Sequence, residues 1–217
     1  MRKARILLAD DHTLVLEGIK KLLEPHFEPA GAVEDGRALL EAVKELRPDV
    51  VLLDISMPLL NGIDAARQIR KSVPSAKIVF LSMHADPAYV SEAFRAGGSG
   101  YLLKRSAGSE LVFAIEEVLK GRFYVTPAVA KDVLKDVFEE VEASRKEPPS
   151  RTPGLTPRQR EVLQLVAEGK SIKEIAAILD ISIKTVEFHK SRIMEELDLH
   201  TTAELTKYAV AHGIASL

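Results

Sequence analysis

Cysteine and tryptophan are both absent from the 217 residues. Without cysteine there is no disulfide and no thiolate metal site, which fits a reducing compartment. No apolar run approaches the ~20 residues that cross a bilayer. The opening Met1-Arg2-Lys3-Ala4-Arg5 is basic, but only a few apolar residues follow before two aspartates. That is too short for the core of a secretion signal. Together these features predict a cytoplasmic protein that makes no use of a membrane. Excess charge of one sign is missing too: 30 Lys/Arg stand against 32 Asp/Glu, a formal net charge of −2. Such a balance does not announce nucleic acid or an acidic substrate as partner. What remains is 46% hydrophobic and 29% charged, the make-up of an ordinary globular chain. The length admits one large domain or two small ones.

The informative residues are acids that close short apolar runs. Asp10 and Asp11 follow Ile6-Leu7-Leu8-Ala9, and Asp54 follows Val50-Val51-Leu52-Leu53. Unbroken Val/Ile/Leu stretches are the mark of parallel strands covered on both faces by helices. Strand-like segments at 4–9, 30–33, 50–53, 77–81 and 100–103 alternate with helix-like segments at 13–23, 37–46, 63–71, 88–95 and 110–120. This alternation predicts an α/β unit built on a doubly wound, five-stranded parallel sheet. In such sheets ligands bind outside the carboxyl ends of the strands. The acids therefore predict an acidic crevice, which repels itself unless a cation or a proton is held there.

Hard cations such as Mg²⁺ bind through one or two carboxylates and keep waters for phosphate oxygens. A carboxylate also serves as a nucleophile, forming an aspartyl-phosphate. Two more strand ends suit phosphoryl chemistry. Ser82 follows Ile78-Val79-Phe80-Leu81 and offers a hydroxyl; Lys104 follows Tyr101-Leu102-Leu103 and offers a cation. A lone Asp at a strand end is ordinarily a turn residue, and a lone lysine or serine is ordinarily surface. The conjunction at successive strand ends outweighs these bland readings, because structural context is what confirms a motif.

At this point residues 1–125 resemble the receiver domain of a bacterial two-component response regulator, a flavodoxin-like fold. The matching pieces are Leu8-Ala9-Asp10-Asp11-His12, Leu52-Leu53-Asp54-Ile55-Ser56-Met57-Pro58, Leu81-Ser82 and Tyr101-Leu102-Leu103-Lys104. The resemblance implies that Asp54 is the phosphoacceptor. It implies that Asp10, Asp11 and Asp54 hold Mg²⁺ with the backbone carbonyl of Ser56. Ser82 and Lys104 would contact the phosphoryl group, and Tyr101 would be the switch aromatic. Arg105 stands where receivers often carry proline. His12 is read as flanking the site, since Mg²⁺ prefers oxygen.

Downstream, Thr126-Pro127 has the form of an N-cap followed by proline at the first helical position. Val129, Val133, Val137 and Val141 then repeat at helical spacing. Ser144–Gly154 holds three prolines and no large apolar residue, and reads as a linker. Beyond it the punctuation is helical. Thr156…Gln159, Ser171…Glu174 and Thr201…Glu204 have capping-box spacing, Ser182 is a further N-cap, and Gly169 and Gly213 end helices. Four short helices with a tight turn at Asp180-Ile181 predict a small all-α helix-turn-helix domain.

Residues 155–217 resemble the LuxR-type helix-turn-helix of the NarL/FixJ response-regulator subfamily. The match runs through Leu155-Thr156-Pro157-Arg158-Gln159-Arg160-Glu161-Val162-Leu163, Glu168-Gly169-Lys170-Ser171, Lys173-Glu174-Ile175-Ala176 and Ile183-Lys184-Thr185-Val186-Glu187-Phe188-His189-Lys190. On a helical wheel for Ser182–Leu197, Val186, Ile193 and Leu197 share a face, with His189 beside it. The other side carries Lys184, Glu187, Phe188 and Ser191, which are predicted to face DNA bases, since a recognition helix presents its N-terminal half to the major groove. Thr185, Lys190 and Arg192 are predicted to face phosphates. An exposed mixed-charge face is the bland alternative; Phe188 argues against it, being a large aromatic on polar surface. Residues 151–217 carry nine Lys/Arg and nine Asp/Glu, few cations for a DNA binder. Binding as a pair on adjacent half-sites is therefore expected. The resemblance implies a dimer helix carrying Leu205, Tyr208, Ala209 and His212, part of whose stripe is bundle core.

The organisation expected is a receiver domain over 1–125, a linker helix and proline-rich linker over 126–154, and a DNA-binding domain over 155–217. The function expected is phosphorylation-controlled transcription regulation, with a sensor histidine kinase upstream, a homodimer when phosphorylated or on DNA, and RNA polymerase as a further partner. An enzyme is not expected: aspartate-nucleophile phosphatases tend to carry Asp-x-Asp after the first strand, and here the pair is adjacent. A regulator acting through protein or RNA contacts is the other rival.

Overall fold

The structure is a computed structural model, and it describes residues 2–131 and 154–215. The chain divides into two compact units, one α/β and one helical. The stripe positions Val133, Val137 and Val141 and the linker residues 144–153 lie outside the described residues.

The α/β unit alternates β1 (Arg5–Ala9), α1 (Thr13–Leu23), β2 (Glu28–Val33), α2 (Gly36–Leu46), β3 (Val50–Asp54), α3 (Gly62–Ser72), β4 (Lys77–Ser82), α4 (Pro87–Arg95), β5 (Gly100–Leu103), α5 (Ala107–Leu119) and β6 (Tyr124–Val125). All strand pairs are parallel and the order is β2-β1-β3-β4-β5-β6. Every residue of β3, in the middle of the sheet, is buried. Helices on both faces leave these strands no polar side, which is why the sequence there shows no alternation. One layer of the core packs Ile6, Leu8, Val50, Leu52, Val79 and Leu81 against Leu16, Ile19 and Leu23 of α1 and Leu111, Ile115 and Val118 of α5. Each such side chain contributes about 1.5–3 kcal/mol by leaving water. The helical residues sit at three- and four-residue spacing, one stripe per helix.

The sheet has six strands, not the five expected. The sixth is two residues long, too short for any periodicity to reveal it. It is set by hydrogen bonds to β5 and the residue before it: Tyr124 N–H donates to Ser99 C=O (3.1 Å) and Thr126 N–H to Tyr101 C=O (2.9 Å). The buried Thr126 hydroxyl then accepts from Leu103 N–H (3.1 Å). Thr126 therefore ends the sheet, and residues 127–131 are helical directly after it. β2 is the opposite edge, where Pro29 costs no central ladder bond. Its register against β1 shifts between Ile6 and Leu7. α5 begins at Ala107, three residues before the expected 110, because a 3₁₀ turn at Lys104–Ser106 leads straight into it.

The helical unit comprises α6 (Pro157–Ala167), α7 (Ile172–Leu179), α8 (Ile183–Leu197) and α9 (Thr202–Ala211). All three capping boxes form: Thr156 with Gln159, Ser171 with Glu174, and Thr201 with Glu204. Ser182 caps α8 by accepting from Thr185 N–H. Asp180 adopts φ +51° between α7 and α8, a left-handed conformation that aspartate tolerates at a helix end. Val162, Leu163, Ile175, Val186, Ile193, Leu205 and Ala209 make the core.

Thr126→Val removes the hydroxyl that accepts from the buried Leu103 N–H, and an unsatisfied buried donor costs about 1–3 kcal/mol. Urea denaturation of the full chain, followed by a signal from the α/β unit, should show a loss of that size.

Candidate functional site

The strand register brings the predicted residues together. Ala9 pairs with Leu53, so Asp10 and Asp54 follow at the same level on adjacent strands. Asp54 pairs with Leu81, and Ser82 with Leu103, so Ser82 and Lys104 come next in the same layer. β1 and β3 flank the point where strand order reverses, the crevice position of doubly wound sheets.

Asp10 and Asp54 are buried, at 1% and 3% exposure. Lys104 Nζ lies 2.7 Å from Asp10 Oδ2 and 2.9 Å from Asp54 Oδ2. Two carboxylates beside one ammonium leave an excess negative charge. Burial pulls the Lys104 ammonium down, and the two carboxylates outweigh it, so its pKa is raised above the usual 10.5. Asp11 is more open, and its Oδ1 lies 2.8 Å from His12 Nδ1. His12 N–H donates to Asp10 Oδ1 at 3.0 Å, a local turn that leads into α1.

Ligand atoms of Asp10, Asp11, His12 and Asp54 all lie within 4.8 Å of one another. The Lys104 contact aside, the buried Asp10 Oδ2 has no hydrogen-bond partner. Three clustered carboxylates, two of them buried, suit a hard, oxygen-seeking cation. His12 Nδ1 is engaged by the carboxylates of Asp10 (3.2 Å) and Asp11, which fits a flanking role. Ser56 stands two residues after Asp54.

Ser82 and Tyr101 meet at a residue the sequence did not single out. Ser82 Oγ accepts from His84 N–H at 3.0 Å, and Tyr101 hydroxyl donates to His84 C=O at 2.9 Å. The His84 ring stacks on Tyr89 of α4, centroids 4.4 Å apart and 5° from parallel. Tyr101 is fully buried. Burial above all, with nearby negative charge, pushes its phenol up to about 12, so it stays a donor at neutral pH. Arg105 sits in the 3₁₀ turn beside Lys104, and the lysine still reaches both aspartates.

Gly62 is the other residue that sequence reasoning passed over. A Cβ there would lie 2.0 Å from the Asp54 carbonyl oxygen. Its N–H donates to Ile55 C=O at 2.9 Å. Asn61-Gly62 has the look of a turn pair, but nothing in its composition announces contact with the strand that carries Asp54.

In the helical unit, Lys184, Glu187, Phe188, Ser191 and Arg192 are exposed on α8, and Phe188 is 58% exposed. The Arg192 guanidinium lies 5.7 Å from the Phe188 ring centroid and 3.0 Å from Glu195. Thr185 and Lys190 are half-buried: Thr185 Oγ1 lies 2.8 Å from Ser182 Oγ, and Lys190 Nζ donates to Thr202 Oγ1 at 3.0 Å. Val186 and Ile193 are core, and His189 is half-buried. The α9 stripe divides. Leu205 and Ala209 are buried, at 1% and 0% exposure, in the core shared with α6. They leave the set of surface residues, because one turn of spacing puts both on the inward face. Tyr208 and His212 stay at the surface with rings stacked 3.9 Å apart.

Gly62→Ala should destabilise the α/β unit by about 1–3 kcal/mol through overpacking and slow labelling of Asp54 by acetyl phosphate. Urea melts and acid-labile phosphate measure the two effects. A second expectation concerns alkali. Because the folded state holds the Lys104 proton more tightly than the unfolded chain, the stability from this group is complete below about pH 10.4. It is lost only as pH rises through the raised folded value. Lys104→Met should remove that alkaline limb from the stability–pH curve.

Residues 6–116 match the family described as the response regulator receiver domain, and residues 153–209 match bacterial regulatory proteins of the luxR family. The transcriptional regulatory protein MctR of Rhizobium johnstonii is 41% identical over 216 residues, covering 99% of this chain and 96% of its own. The RcsB response regulator of Salmonella typhimurium is similar in structure, with TM-score 0.64 and 30% identity over 98% of this chain and 99% of that one. A two-component response regulator RcsB–DNA complex is also similar, with TM-score 0.59 and 30% identity over 97% and 99%. The order of the two families along the chain and the gathered strand-end residues agree: this chain belongs to the NarL/FixJ-type two-component response regulators, a receiver domain followed by a LuxR-type helix-turn-helix.

Proposed function

We propose that this chain is a transcription regulator whose DNA binding and dimerisation are controlled by phosphorylation of Asp54. The observation that carries this reading is the buried Asp54 carboxylate, 2.9 Å from Lys104 and level with Asp10 on the neighbouring strand. A nucleophilic oxygen is thus aimed into a pocket that already holds a cationic side chain. Asp10, Asp11 and Asp54, with the Ser56 carbonyl, would hold Mg²⁺. When bound, that ion supplies positive charge to the phosphoryl oxygens.

Phosphorylation adds roughly −1.5 to −2 charge, by analogy with phosphate monoesters. Lys104 offsets it by turning from the carboxylates to the phosphoryl oxygens. Ser82 gives its hydroxyl to the same oxygens, which withdraws the acceptor from His84 N–H. The segment between β4 and α4 then has two backbone conformations available, and phosphorylation biases the choice. Tyr101 follows, because its hydroxyl is bound to the carbonyl of His84.

The phosphoryl donor is proposed to be a sensor histidine kinase, and the setting the cytoplasm. No described helix is long and apolar enough to cross a membrane. The boundaries proposed are 1–125 for the receiver, 126–154 for the linker and 155–217 for the DNA-binding domain. On α8, Lys184, Glu187, Phe188 and Ser191 would face bases, and Thr185, Lys190 and Arg192 phosphates. RcsB, the relative solved with DNA, supports a duplex as ligand. The exposed His212 and the half-buried Tyr208 are the part of the proposed dimer helix that reaches the surface, and RNA polymerase is the proposed downstream partner.

Selection of duplexes from a random pool, with and without acetyl phosphate, tests the reading. The wild-type chain should enrich one sequence family and bind it more tightly with the donor. Asp54→Asn should take no phosphoryl group and show no donor effect. Equal binding with and without donor in the wild type would overturn the control by phosphorylation.

A further inference from the structure

We propose that Phe188 reads a thymine methyl group in the major groove, and so fixes a thymine in each operator half-site. The inference rests on the DNA-binding reading above and deepens it. Phe188 lies in the N-terminal half of α8, the part of such a helix that reaches base edges. It is 58% exposed. Lys184 stands one turn before it and Arg192 one turn after, both exposed. A phenyl ring thus projects from a face that is otherwise polar, between Lys184, proposed to face bases, and Arg192, proposed to face phosphates.

The ring is oriented rather than loose. The Arg192 guanidinium lies 5.7 Å from its centroid and is itself tied to Glu195 at 3.0 Å. The His189 ring meets it edge-on at 5.8 Å and 64°. A phenyl ring has no hydrogen-bonding group. Major-groove edges present N7, O6, N6, N4 and O4, all of which need a hydrogen-bonding partner or water; the thymine C5-methyl is the apolar exception. Seated over any other base edge, Phe188 strips water from a polar atom and returns nothing. Seated over thymine, it buries a methyl. The same residue therefore attracts one base and rejects three.

The experiment uses the full chain and the duplex enriched from a random pool. That duplex is prepared in two forms, one with thymine and one with deoxyuridine at every thymine position, which deletes only the methyl groups. The wild-type chain should bind the uracil form about fourfold more weakly per half-site, the worth of one buried methyl expressed as affinity. Phe188→Ala should bind both forms alike, while circular dichroism reports an intact fold. The proposal is overturned if the wild type binds the two forms equally, since DNA binding then stands without methyl reading. It is also overturned if Phe188→Ala keeps the full uracil penalty, which would place the effect in the DNA. If no duplex is enriched, the DNA-binding reading fails, and this proposal with it.

Discussion

Two buried carboxylates and one ammonium at the ends of β1, β3 and β5 are the interaction on which the α/β unit turns. Asp10 and Asp54 stand level because their strands are in register, and both are taken out of water. Lys104 answers both at under 3 Å. Removing one partner from such a buried set costs about 3–5 kcal/mol, so the arrangement is held tightly yet is not neutral. A cluster with one cation for two buried anions, and a third carboxylate at the rim, is poised for a further positive charge. The hydrophobic sheet beneath supplies the rigidity that keeps like charges together.

Around this cluster the structure joins sensing to backbone geometry. His84 has its N–H held by Ser82 and its C=O held by Tyr101, while its ring lies on Tyr89 of α4. One residue between β4 and α4 is therefore bound at both backbone ends and at its side chain. A hydroxyl that turns toward a phosphoryl group leaves that residue one bond short, and a buried phenol is attached to the same residue.

Much of this was legible in the sequence. The bounds of α1 and β5 were readable to the residue, because α1 carries a clean stripe at Leu16, Ile19 and Leu23 and β5 an unbroken apolar run after Gly100. The three capping boxes were equally plain, since each pairs a hydroxyl with a Glu or Gln at fixed spacing. Asp10, Asp54, Ser82 and Lys104 were found as strand-end residues and stand where that reading put them. What escaped has a common character. Gly62 and His84 act through backbone atoms or close approach, and neither leaves a periodic trace; Thr126 was read as a helix cap, and its hold on Leu103 N–H was not. The two residues of β6 are too few for a period, though Tyr124 also packs on the core and edge-on to Phe113. Part of the last helix's stripe was expected to be bundle core, and the structure shows that Leu205 and Ala209 are that part.

β6 has one more consequence. Val125 is the ladder partner of Tyr101, and the next residue, Thr126, donates its N–H to the Tyr101 carbonyl while its hydroxyl receives Leu103 N–H. The sheet thus ends on the rung next to Tyr101. Lys104 follows directly on the same strand. The four residues of β5 thus carry Tyr101 and lead to Lys104 while also anchoring the last strand, so the cluster and this sheet edge stand on one short segment, a single hydrogen bond apart.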